Sequence, residues 1–484
     1  MRQVMRGMIG KVVISILCAA AFSSSPLVLA QSPKPQAQNI IILFADGTTS
    51  SQYEFGRYSS QLLRQQPFAI TDIVMQKGHF QLMKTESADY FVTDSAAAAS
   101  AMSIGQKVNN GAISVTPDGK SPVTLMKFAK DSGKRIGLIS TAPIYDASPA
   151  AFSVHAKSRR DSQNIVNQYL QLEPDLLMGG GADFFLPTSV EGGKRQDGRN
   201  LIQEFQQKGY QYIDTPAELS NINKPKVLGL FANGDIDYEI ERNPSEAPSL
   251  SQMLEAALSV LKQKNKTNQK NKGFVLFVEN ENTDSAGHNN DVASLMRDLW
   301  AFDDAVKVAL NFQKLNPDTL IIVTGDHETG GFSPTYGRKN LGAPGTANYL
   351  NVDIRQLKLI EQFKMSLNEF STQMKAKIKQ GANKEELNTF LNSLLTEYYP
   401  GLQLDDDLRE KIINQGQLYP NSNYLPSNIL GLAIARQTGF YWGGSGHTPA
   451  PITVAAMGPG SSIFSGYDDN TSFAIKLRRL ISGK

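Results

Sequence analysis

The chain has 484 residues, of which 40% are hydrophobic and 19% are charged, proportions that are ordinary for a soluble globular protein. This length suffices for about two or three average domains, or for one large α/β unit with insertions. The formal net charge at pH 7 is only +2, so bulk electrostatics give no support to a nucleic-acid or membrane-surface partner.

The N-terminus has the layout of a secretory signal peptide. Basic side chains lie within residues 2–11, residues 12–22 are apolar, and Val28-Leu29-Ala30 offers a small-residue cleavage site. A membrane anchor is the weaker alternative, because residues 23–26 interrupt an apolar run that is shorter than the ~20 residues of a membrane-spanning helix. We therefore predict export to the periplasm or the medium, with a signal peptide over residues 1–30 and a linker over residues 31–38.

The single cysteine, Cys18, lies inside this leader, and Leu17 before it is not the small residue that a lipoprotein signal requires. After cleavage the chain has neither disulfides nor thiol chemistry. Cleavage also removes three basic and no acidic residues, which leaves 45 basic against 46 acidic residues and a net charge of −1. Stability outside the cytoplasm must then come from the size of the core and from bound metal.

From residue 39 onwards, short apolar runs alternate with longer stretches of helical periodicity. One such stretch begins after Ser249, which forms a capping-box pattern with Gln252. The alternation predicts an α/β fold, a three-layer sandwich in which helices cover both faces of a large, mainly parallel sheet. The predicted strands are Asn39–Ala45, Phe80–Lys84, Arg135–Ser140, Leu176–Met178, Lys226–Phe231, Gly273–Val278, Thr319–Thr324 and Pro451–Met457, and the predicted helices include residues 121–131, 161–172, 250–264 and 291–312.

Residues 333–440 break this alternation. Helical patterns follow one another there with polar loops between them, near 354–380, 384–398, 404–415 and 425–437. Because a further histidine motif, around His447, lies beyond this stretch, we interpret residues 333–440 as a helical cap. The cap would be inserted into one domain that extends over residues 39–484.

Three of the predicted strands lead into acidic residues. Asp46 follows the run IIILFA, Glu279 follows FVLFV, and Asp326 follows LIIVTG. In open α/β sheets the carboxyl ends of parallel strands form the ligand-binding edge, so these carboxylates are expected to lie close together. The sequence therefore predicts a functional site at this edge.

Three of the five histidines belong to motifs typical of a metal site: Glu279-x4-Asp284-x3-His288, Asp326-His327, and GSGHTP around His447. Imidazole and carboxylate groups are the usual ligands of zinc, whereas magnesium prefers oxygen alone. The run VTDSAAAA at residues 92–99 places Ser95 at the predicted start of a helix. A serine nucleophile beside metal ions indicates phosphoryl or sulfuryl transfer.

Taken in order, these motifs resemble those of the alkaline phosphatase family over nearly the whole chain after the leader. Each motif alone is weakly specific, whereas six in this order are strongly specific. The resemblance implies an exported hydrolase of phosphate monoesters that forms a phosphoserine intermediate and works best at alkaline pH. It rests on ADG at 45–47, VTDSAAAASAMSIGQKVNNGAI at 92–113, YDASPAAFSVHAKSR at 145–159, VEN-x3-DSAGH at 278–288, TGDHETGG at 324–331 and GHTP at 446–449.

The resemblance also implies two zinc ions and one magnesium ion per chain. One zinc ion would bind Asp284, His288 and His447. The other would bind Asp46, Asp326 and His327, with Ser95 completing its shell. The magnesium ion would bind Asp46, Ser148 and Glu279. Two cations about 3.5–4 Å apart can hold both the attacking and the leaving oxygen of an in-line displacement.

Ser95 is the predicted nucleophile and Arg159 the predicted phosphate clamp. Zinc coordination would let the Ser95 hydroxyl attack without a histidine base, and a helix N-terminus favours phosphate charge. A guanidinium can donate two parallel hydrogen bonds to phosphate oxygens. The resemblance implies that Asp94 holds Arg159 and that Asp146 acts through a water molecule on the magnesium ion.

Other functions stay open at this point. A diesterase or sulfatase on the same scaffold is one alternative, against which stand the alanines after Ser95 and the presence of Ser148 and Glu279. A non-catalytic phosphate- or metal-binding protein is another, although no nucleophile or ligand is missing. Relatives are often homodimers, but the sequence carries no signal of oligomeric state and does not identify the physiological monoester.

Overall fold

The computed structural model describes residues 37–263, 272–338, 349–350, 352–419 and 422–483. The predicted signal peptide over residues 1–30 lies outside these residues, and so does the predicted linker apart from Ala37 and Gln38. Among the helices of the described residues, none combines the length and the apolar composition that a membrane crossing requires.

Sixteen strands occur in the described residues. They are β1 (Asn39–Ala45), β2 (His79–Lys84), β3 (Arg135–Pro143), β4 (Leu176–Gly180), β5 (Gln211–Ile213), β6 (Val227–Leu230), β7 (Phe274–Asn280), β8 (Thr319–Thr324), β9 (Glu328–Thr329), β10 (Phe332–Pro334), β11 (Gly337–Arg338), β12 (Tyr349–Leu350), β13 (Phe440–Trp442), β14 (His447–Thr448), β15 (Ile452–Met457) and β16 (Gly466–Asp469). Ten of them form one sheet in the order β16-β2-β15-β8-β1-β7-β3-β4-β6-β5. Only β15 runs antiparallel to its two neighbours in that sheet.

Fifteen α-helices occur in the same residues. They are α1 (Ser50–Ser59), α2 (Ser95–Ile104), α3 (Leu125–Asp131), α4 (Ala147–Ser153), α5 (Ser162–Leu172), α6 (Leu201–Gln207), α7 (Leu250–Lys262), α8 (Asn282–Asn289), α9 (Val292–Leu315), α10 (Ile354–Glu361), α11 (Leu367–Lys379), α12 (Lys384–Tyr398), α13 (Asp406–Ile413), α14 (Ser427–Thr438) and α15 (Thr471–Ser482). Short π-helical turns cover Ser60–Arg64 and Ile70–Met75, and 3₁₀ turns cover Ala182–Phe184, Pro216–Asn221 and Ser461–Ile463.

The central strand β1 explains why helices cover both faces of the sheet. Its side chains are apolar and buried on both sides, as in parallel sheets generally. Ile41 and Leu43 pack into one core with α7 and α9, whereas Ile42 and Phe44 pack into a second core with α4, α5 and α15. The predicted three-layer α/β sandwich with a mainly parallel sheet is confirmed.

Helix α7 forms as the sequence predicts. The Ser249 hydroxyl accepts a hydrogen bond from the Gln252 backbone N–H at 3.2 Å, and the Gln252 side chain accepts from the Ser249 N–H at 2.8 Å. The apolar stripe that follows, from Leu250 to Leu261, faces the first core. Capping and burial therefore agree in fixing this helix against the sheet.

Two strands of the sheet lack a counterpart in the sequence prediction. β5 has three residues and β16 has the sequence GYDD, and each lies at one edge of the sheet. Edge strands are commonly short or polar, because one side of their backbone faces away from the sheet. Such strands give no apolar run for a sequence pattern to detect.

The single helix predicted near residues 354–380 is wrong. Two helices, α10 and α11, occupy this stretch, and the chain turns between them. The second begins because the buried Ser366 caps it: its hydroxyl accepts from the Glu369 N–H at 3.0 Å. The Ser366 N–H points instead to Glu241, whose carboxylate accepts it at 2.7 Å.

Helices α10 to α14 lie within the predicted cap. Each contributes buried side chains to the core that also contains α7 and α9: Ile360, Phe370, Leu391, Ile412 and Leu430. This stretch therefore packs against one face of the sandwich. The limits of the cap, at residues 333 and 440, stay a prediction.

Candidate active site

The three predicted acidic groups meet at one edge of the sheet. Strands β8, β1 and β7 are neighbours, and Phe44 of β1 pairs with both Thr324 and Glu279. Asp46 follows β1 directly, and Asp326 follows β8 after one glycine. Glu279 lies within β7, one residue before its end, whereas the sequence pattern placed it just after the strand.

Gly47 lets the backbone after Asp46 pass close to Asp284. Its φ is +67°, a left-handed conformation that glycine adopts without strain. A Cβ atom at this position would lie 2.6 Å from Asp284 Oδ1. Any larger residue would therefore push aside one of the predicted metal ligands.

All three predicted histidine ligands direct Nε2 into the site. Nδ1 of His288 lies 2.7 Å from the Ser445 carbonyl oxygen, and Nδ1 of His447 lies 2.8 Å from the Thr93 carbonyl oxygen. A carbonyl oxygen only accepts, so Nδ1 carries the proton and Nε2 offers a lone pair. Nδ1 of His327 faces the Thr329 hydroxyl at 3.2 Å. Such contacts fix the ring orientation of metal-binding histidines.

The predicted ligands form two adjoining sets. Ligand atoms of Asp46, Asp326 and His327 lie within 4.8 Å of one another, and so do those of Asp284, His327 and His447. His288 joins the second set, because its Nε2 lies 3.1 Å from Asp284 Oδ2 and 3.2 Å from His447 Nε2. His327 therefore lies between the two sets, with its ring stacked 3.6 Å from that of His447.

Several features of these sets fit cations. When both rings are neutral, Nε2 of His288 and Nε2 of His447 face each other with lone pairs at 3.2 Å, and a cation between them removes the repulsion. Asp46 Oδ1 and Asp326 Oδ2 are buried and have no hydrogen-bond partner among the described residues. A buried carboxylate oxygen without a partner is costly, and a metal ion removes that cost.

Burial shifts the pKa of each group in the set of Asp46, Asp326 and His327. Burial, together with the negative charges of Asp326 and Asp284, raises the pKa of Asp46 well above its ordinary value. Burial also raises the pKa of Asp326 to about 7 and lowers the pKa of His327 well below its ordinary value. A neutral imidazole is the form that binds metals, so His327 is ready to act as a ligand.

A third group of oxygen atoms adjoins Asp46. The Ser148 hydroxyl, in α4, donates to Asp46 Oδ2 at 3.2 Å. The Ser140 hydroxyl, on β3, donates to Glu279. Burial raises the pKa of Glu279 to about 8. Oxygen ligands alone are what magnesium prefers, so Asp46, Ser148 and Glu279 can hold such an ion.

Ser95 is the first residue of α2. Its Oγ lies 3.1 Å from His327 Nε2, and the hydroxyl is buried at the edge of both ligand sets. The helix begins because the Asp94 carboxylate accepts the Ala97 N–H at 2.9 Å, and four alanines follow Ser95. The positive end of the helix dipole thus faces any anion that binds at Ser95.

Arg159 lies between two carboxylates. Its Nη1 lies 3.5 Å from Asp94 Oδ2, and its Nη2 lies 3.2 Å from Asp146 Oδ2. Burial opposes the charge on the guanidinium, but Asp146 and Asp94 outweigh it and raise the pKa of Arg159. The direct contact between Arg159 and Asp146 has no counterpart in the sequence interpretation, in which Asp146 acts mainly through a water molecule on the magnesium ion.

Other side chains support the site, although the sequence analysis assigned no role to them. The Thr329 hydroxyl donates to Asp284, and Ser140 orients Glu279. Glu328 is buried and accepts four hydrogen bonds, two of them from Gln52 and Thr448. A hydroxyl on a buried strand or turn resembles any other polar residue in sequence, so only the fold reveals these contacts.

Comparison with known proteins identifies the family of this chain, and the match extends over residues 37–481. The family described as "Alkaline phosphatase" matches residues 37–481. The chain is 32% identical over 480 residues to alkaline phosphatase 3 of Bacillus subtilis, which covers 95% of this chain and 94% of that protein. It is 31% identical over 487 residues to alkaline phosphatase 4 of the same organism. This match covers 97% of this chain and 96% of that protein.

Two solved structures of alkaline phosphatases are also similar to this chain. The structure of Thermus thermophilus alkaline phosphatase superposes with a TM-score of 0.80 at 27% identity, covering 97% of this chain and 96% of that one. The cold-active alkaline phosphatase of a psychrophilic Shewanella species gives a TM-score of 0.71 at 31% identity, and the match covers 92% of this chain and 99% of that one. The chain therefore belongs to the alkaline phosphatase family, which consists of metal-dependent enzymes that hydrolyse phosphate monoesters.

Proposed function

We propose that the chain hydrolyses phosphate monoesters through a covalent phosphoserine at Ser95, in a site that binds two zinc ions and one magnesium ion. The observation that carries this proposal is the position of Ser95 Oγ, 3.1 Å from His327 Nε2 and at the N-terminus of α2. A buried hydroxyl in this position has a helix dipole, an arginine and two ligand sets around it.

The proposed ligands follow from the donor atoms of each set. Soft imidazole nitrogens favour zinc, and a set of oxygen atoms favours magnesium. Bound there, the cations would supply positive charge and Lewis acidity to the reacting phosphate. The proposed sets are Asp284, His288 and His447 for one zinc ion, Asp46, Asp326 and His327 for the other, and Asp46, Ser148 and Glu279 for magnesium.

The reaction proceeds in two displacements at phosphorus. In the first, Ser95 Oγ forms a bond to phosphorus while the bond to the alcohol oxygen breaks, and the alcohol leaves. In the second, water forms a bond to phosphorus while the bond to Ser95 Oγ breaks, which releases inorganic phosphate and restores the serine. Two easy steps thereby replace one difficult step.

Arg159 orients the phosphate in both displacements. Its two carboxylate partners, Asp94 and Asp146, hold the guanidinium plane, so little side-chain freedom is lost on binding. A planar guanidinium donates two parallel hydrogen bonds to non-bridging oxygens. A monoester offers more such oxygens than a diester, so this clamp favours monoesters.

The covalent intermediate is tested by competition between water and an added alcohol. Phosphate esters with different leaving groups are hydrolysed in the presence of one alcohol acceptor, and both products are measured. A common phosphoserine requires the ratio of transferred to free phosphate to be the same for every ester. A ratio that depends on the leaving group contradicts the intermediate. Ser95→Ala is the control, and we expect it to abolish both products.

The metal assignment is tested through stability as well as turnover. A ligand that binds only the folded state stabilises it by an amount that grows with its concentration, about 1.4 kcal/mol for each tenfold increase once the site is saturated. We expect the Tm of metal-free protein to rise with added zinc, and Asp326→Asn to weaken that response. A Tm that does not change with the zinc concentration would contradict the assignment of zinc to this site.

We propose in addition that residues 1–30 direct export, that residues 39–484 form the catalytic domain with its cap at 333–440, and that two chains form a homodimer. The layout of the leader supports export. N-terminal sequencing of the protein from a secreting host tests export, and a chain that begins at Gln31 is the expected result.

Sedimentation of the purified protein tests the proposed homodimer. A single species of about 50 kDa, the mass of one chain, would contradict the dimer.

A further inference from the structure

An exposed tyrosine covers one of the proposed zinc ligands. The ring of Tyr424 stacks on the ring of His288, with centroids 4.8 Å apart and planes 17° apart. Tyr424 is 37% exposed, so the residue lies at the surface beside His288. The Tyr424 hydroxyl has no hydrogen-bond partner among the described residues.

The backbone around Tyr424 is fixed to the same residues that hold His288. The Tyr424 N–H donates to Asn428 Oδ1 at 3.2 Å, and its carbonyl accepts the Ser427 hydroxyl at 2.7 Å. Asn428 and Ser427 are both fully buried. Asn428 also donates to the His288 carbonyl at 2.9 Å, and the Ser427 hydroxyl oxygen lies 2.8 Å from Asn289 Oδ1. Tyr424 and His288 thus share one rigid frame.

The position of Tyr424 relative to Ser95 decides what part of the substrate it meets. In an in-line displacement the leaving oxygen lies opposite the attacking oxygen. In the proposed metal site Ser95 completes the set of Asp46, Asp326 and His327, and its Oγ lies 3.1 Å from His327 Nε2. The set with Asp284, His288 and His447 therefore lies on the side of the leaving alcohol. Tyr424 forms the outer wall of that side.

We propose that Tyr424 is a specificity-determining residue that binds the alcohol part of the ester, so that the enzyme prefers monoesters of aromatic alcohols to those of small aliphatic alcohols. This inference rests on the proposed function. An aromatic side chain held in place gains about 0.5–1.5 kcal/mol from contact with another aromatic ring. The gain corresponds to a preference of about two- to tenfold in kcat/KM.

The experiment compares phenyl phosphate with ethyl phosphate, using the ratio of their kcat/KM values in the fully metallated enzyme. Differences in the intrinsic reactivity of the two esters cancel when this ratio is compared between variants. We expect Tyr424→Ala and Tyr424→Leu to lower the ratio by about two- to tenfold. Tyr424→Leu keeps an apolar side chain against His288, so it separates loss of the aromatic ring from loss of packing. Tyr424→Phe should keep the wild-type ratio.

Inhibition by inorganic phosphate distinguishes this role from mere support of His288. Phosphate lacks the alcohol, so its inhibition constant should be unchanged in all three variants. A variant that weakens phosphate binding and both esters equally, with loss of zinc, would assign Tyr424 to support of His288 and overturn the proposal. The matched control is Tyr467→Ala, which removes an exposed tyrosine from the edge strand β16.

The two proposals fail in different ways. Wild-type protein that hydrolyses neither ester contradicts the proposed function itself. Wild-type protein that hydrolyses both esters, with a ratio that Tyr424→Ala and Tyr424→Leu leave unchanged, contradicts only the role of Tyr424.

Discussion

The carboxylate of Asp94 serves both the helix that carries Ser95 and the guanidinium of Arg159. One oxygen accepts the Ala97 N–H at 2.9 Å. The other accepts the Gly111 N–H at 3.0 Å and lies 3.5 Å from Arg159 Nη1. The start of α2 and the orientation of the proposed phosphate clamp therefore depend on one side chain.

Substitutions at Asp94 should separate its capping role from its charge. Asparagine caps helices as well as aspartate does, whereas alanine leaves the helix N–H groups without a partner. We expect Asp94→Ala to lower the free energy of unfolding by about 0.5–2 kcal/mol and Asp94→Asn to change it much less. Chemical denaturation of the metallated proteins measures both. Equal loss in the two variants would assign the effect to charge.

Replacement of Arg159 should weaken the binding of phosphate itself. A hydrogen bond to a charged group contributes about 1.5–3 kcal/mol, so the loss of even one of the two proposed bonds in Arg159→Ala should raise the inhibition constant of inorganic phosphate by about tenfold or more. Arg159→Lys should recover only part of this loss, because an ammonium group lacks the planar pair of donors. Product-inhibition kinetics give both values. Full recovery by lysine would show that only the charge matters.

Gly47→Ala should impair the site through a steric clash. The added Cβ would lie 2.6 Å from Asp284 Oδ1, so Asp284 must move, and in the proposed site this movement lowers the affinity for zinc. Gly198→Ala is the matched control, since Gly198 also has a positive φ, +72°, but no atom lies within 4 Å of its added Cβ. We expect only Gly47→Ala to lose bound zinc, as measured by metal analysis after dialysis. Gly198→Ala should lose about 1–2 kcal/mol of stability from backbone strain, and Gly47→Ala should lose more, because the clash with Asp284 adds to the strain.

Glu241 should make stability depend on pH. Burial raises the pKa of this carboxyl from 4.5 to about 7. Between these pH values the folded chain holds a proton that the unfolded chain has released, so stability falls as the pH rises from 4.5 to 7 and stays lower above it.

Glu241→Gln removes this dependence. Its amide oxygen can still accept the Ser366 N–H that now lies 2.7 Å from Glu241 Oε1. We expect the variant to gain stability over the wild type at pH 8 and to gain much less at pH 5, as measured by urea denaturation. Comparison at each pH cancels the contribution of bound metal. An equal difference at both pH values would contradict the raised pKa.

The sequence predicted the centre of the sheet better than its edges. Strands such as β1 and β8 are buried on both faces, which forces an apolar run that is visible in the sequence. The edge strand β16 is under no such constraint. The break between α10 and α11 also escaped prediction, because it depends on Ser366 meeting Glu241 from a distant part of the chain.

The candidate site was predictable to the extent that its residues stand in motifs. The fold brings together all the predicted ligands, Ser95 and Arg159. The sequence did not reveal the roles of Ser140 and Tyr424. A hydroxyl on a strand and an aromatic residue in a loop are common, and only the fold shows that these two contact Glu279 and His288. The contact of Asp146 with Arg159 is of the same kind.

His447 reaches the site from near the end of the chain, where its Nδ1 meets the carbonyl oxygen of Thr93 across 354 positions of sequence. Asp46 stands close to the other end of the described chain. A polypeptide still emerging from the ribosome cannot assemble the set of Asp284, His288 and His447 until residue 447 has been made. Contacts between segments that are distant in sequence form slowly, because the chain loses conformational entropy in bringing them together before the contacts can stabilise it. Fragments that stop before residue 447 should therefore be inert, and the enzyme should gain activity in one late event.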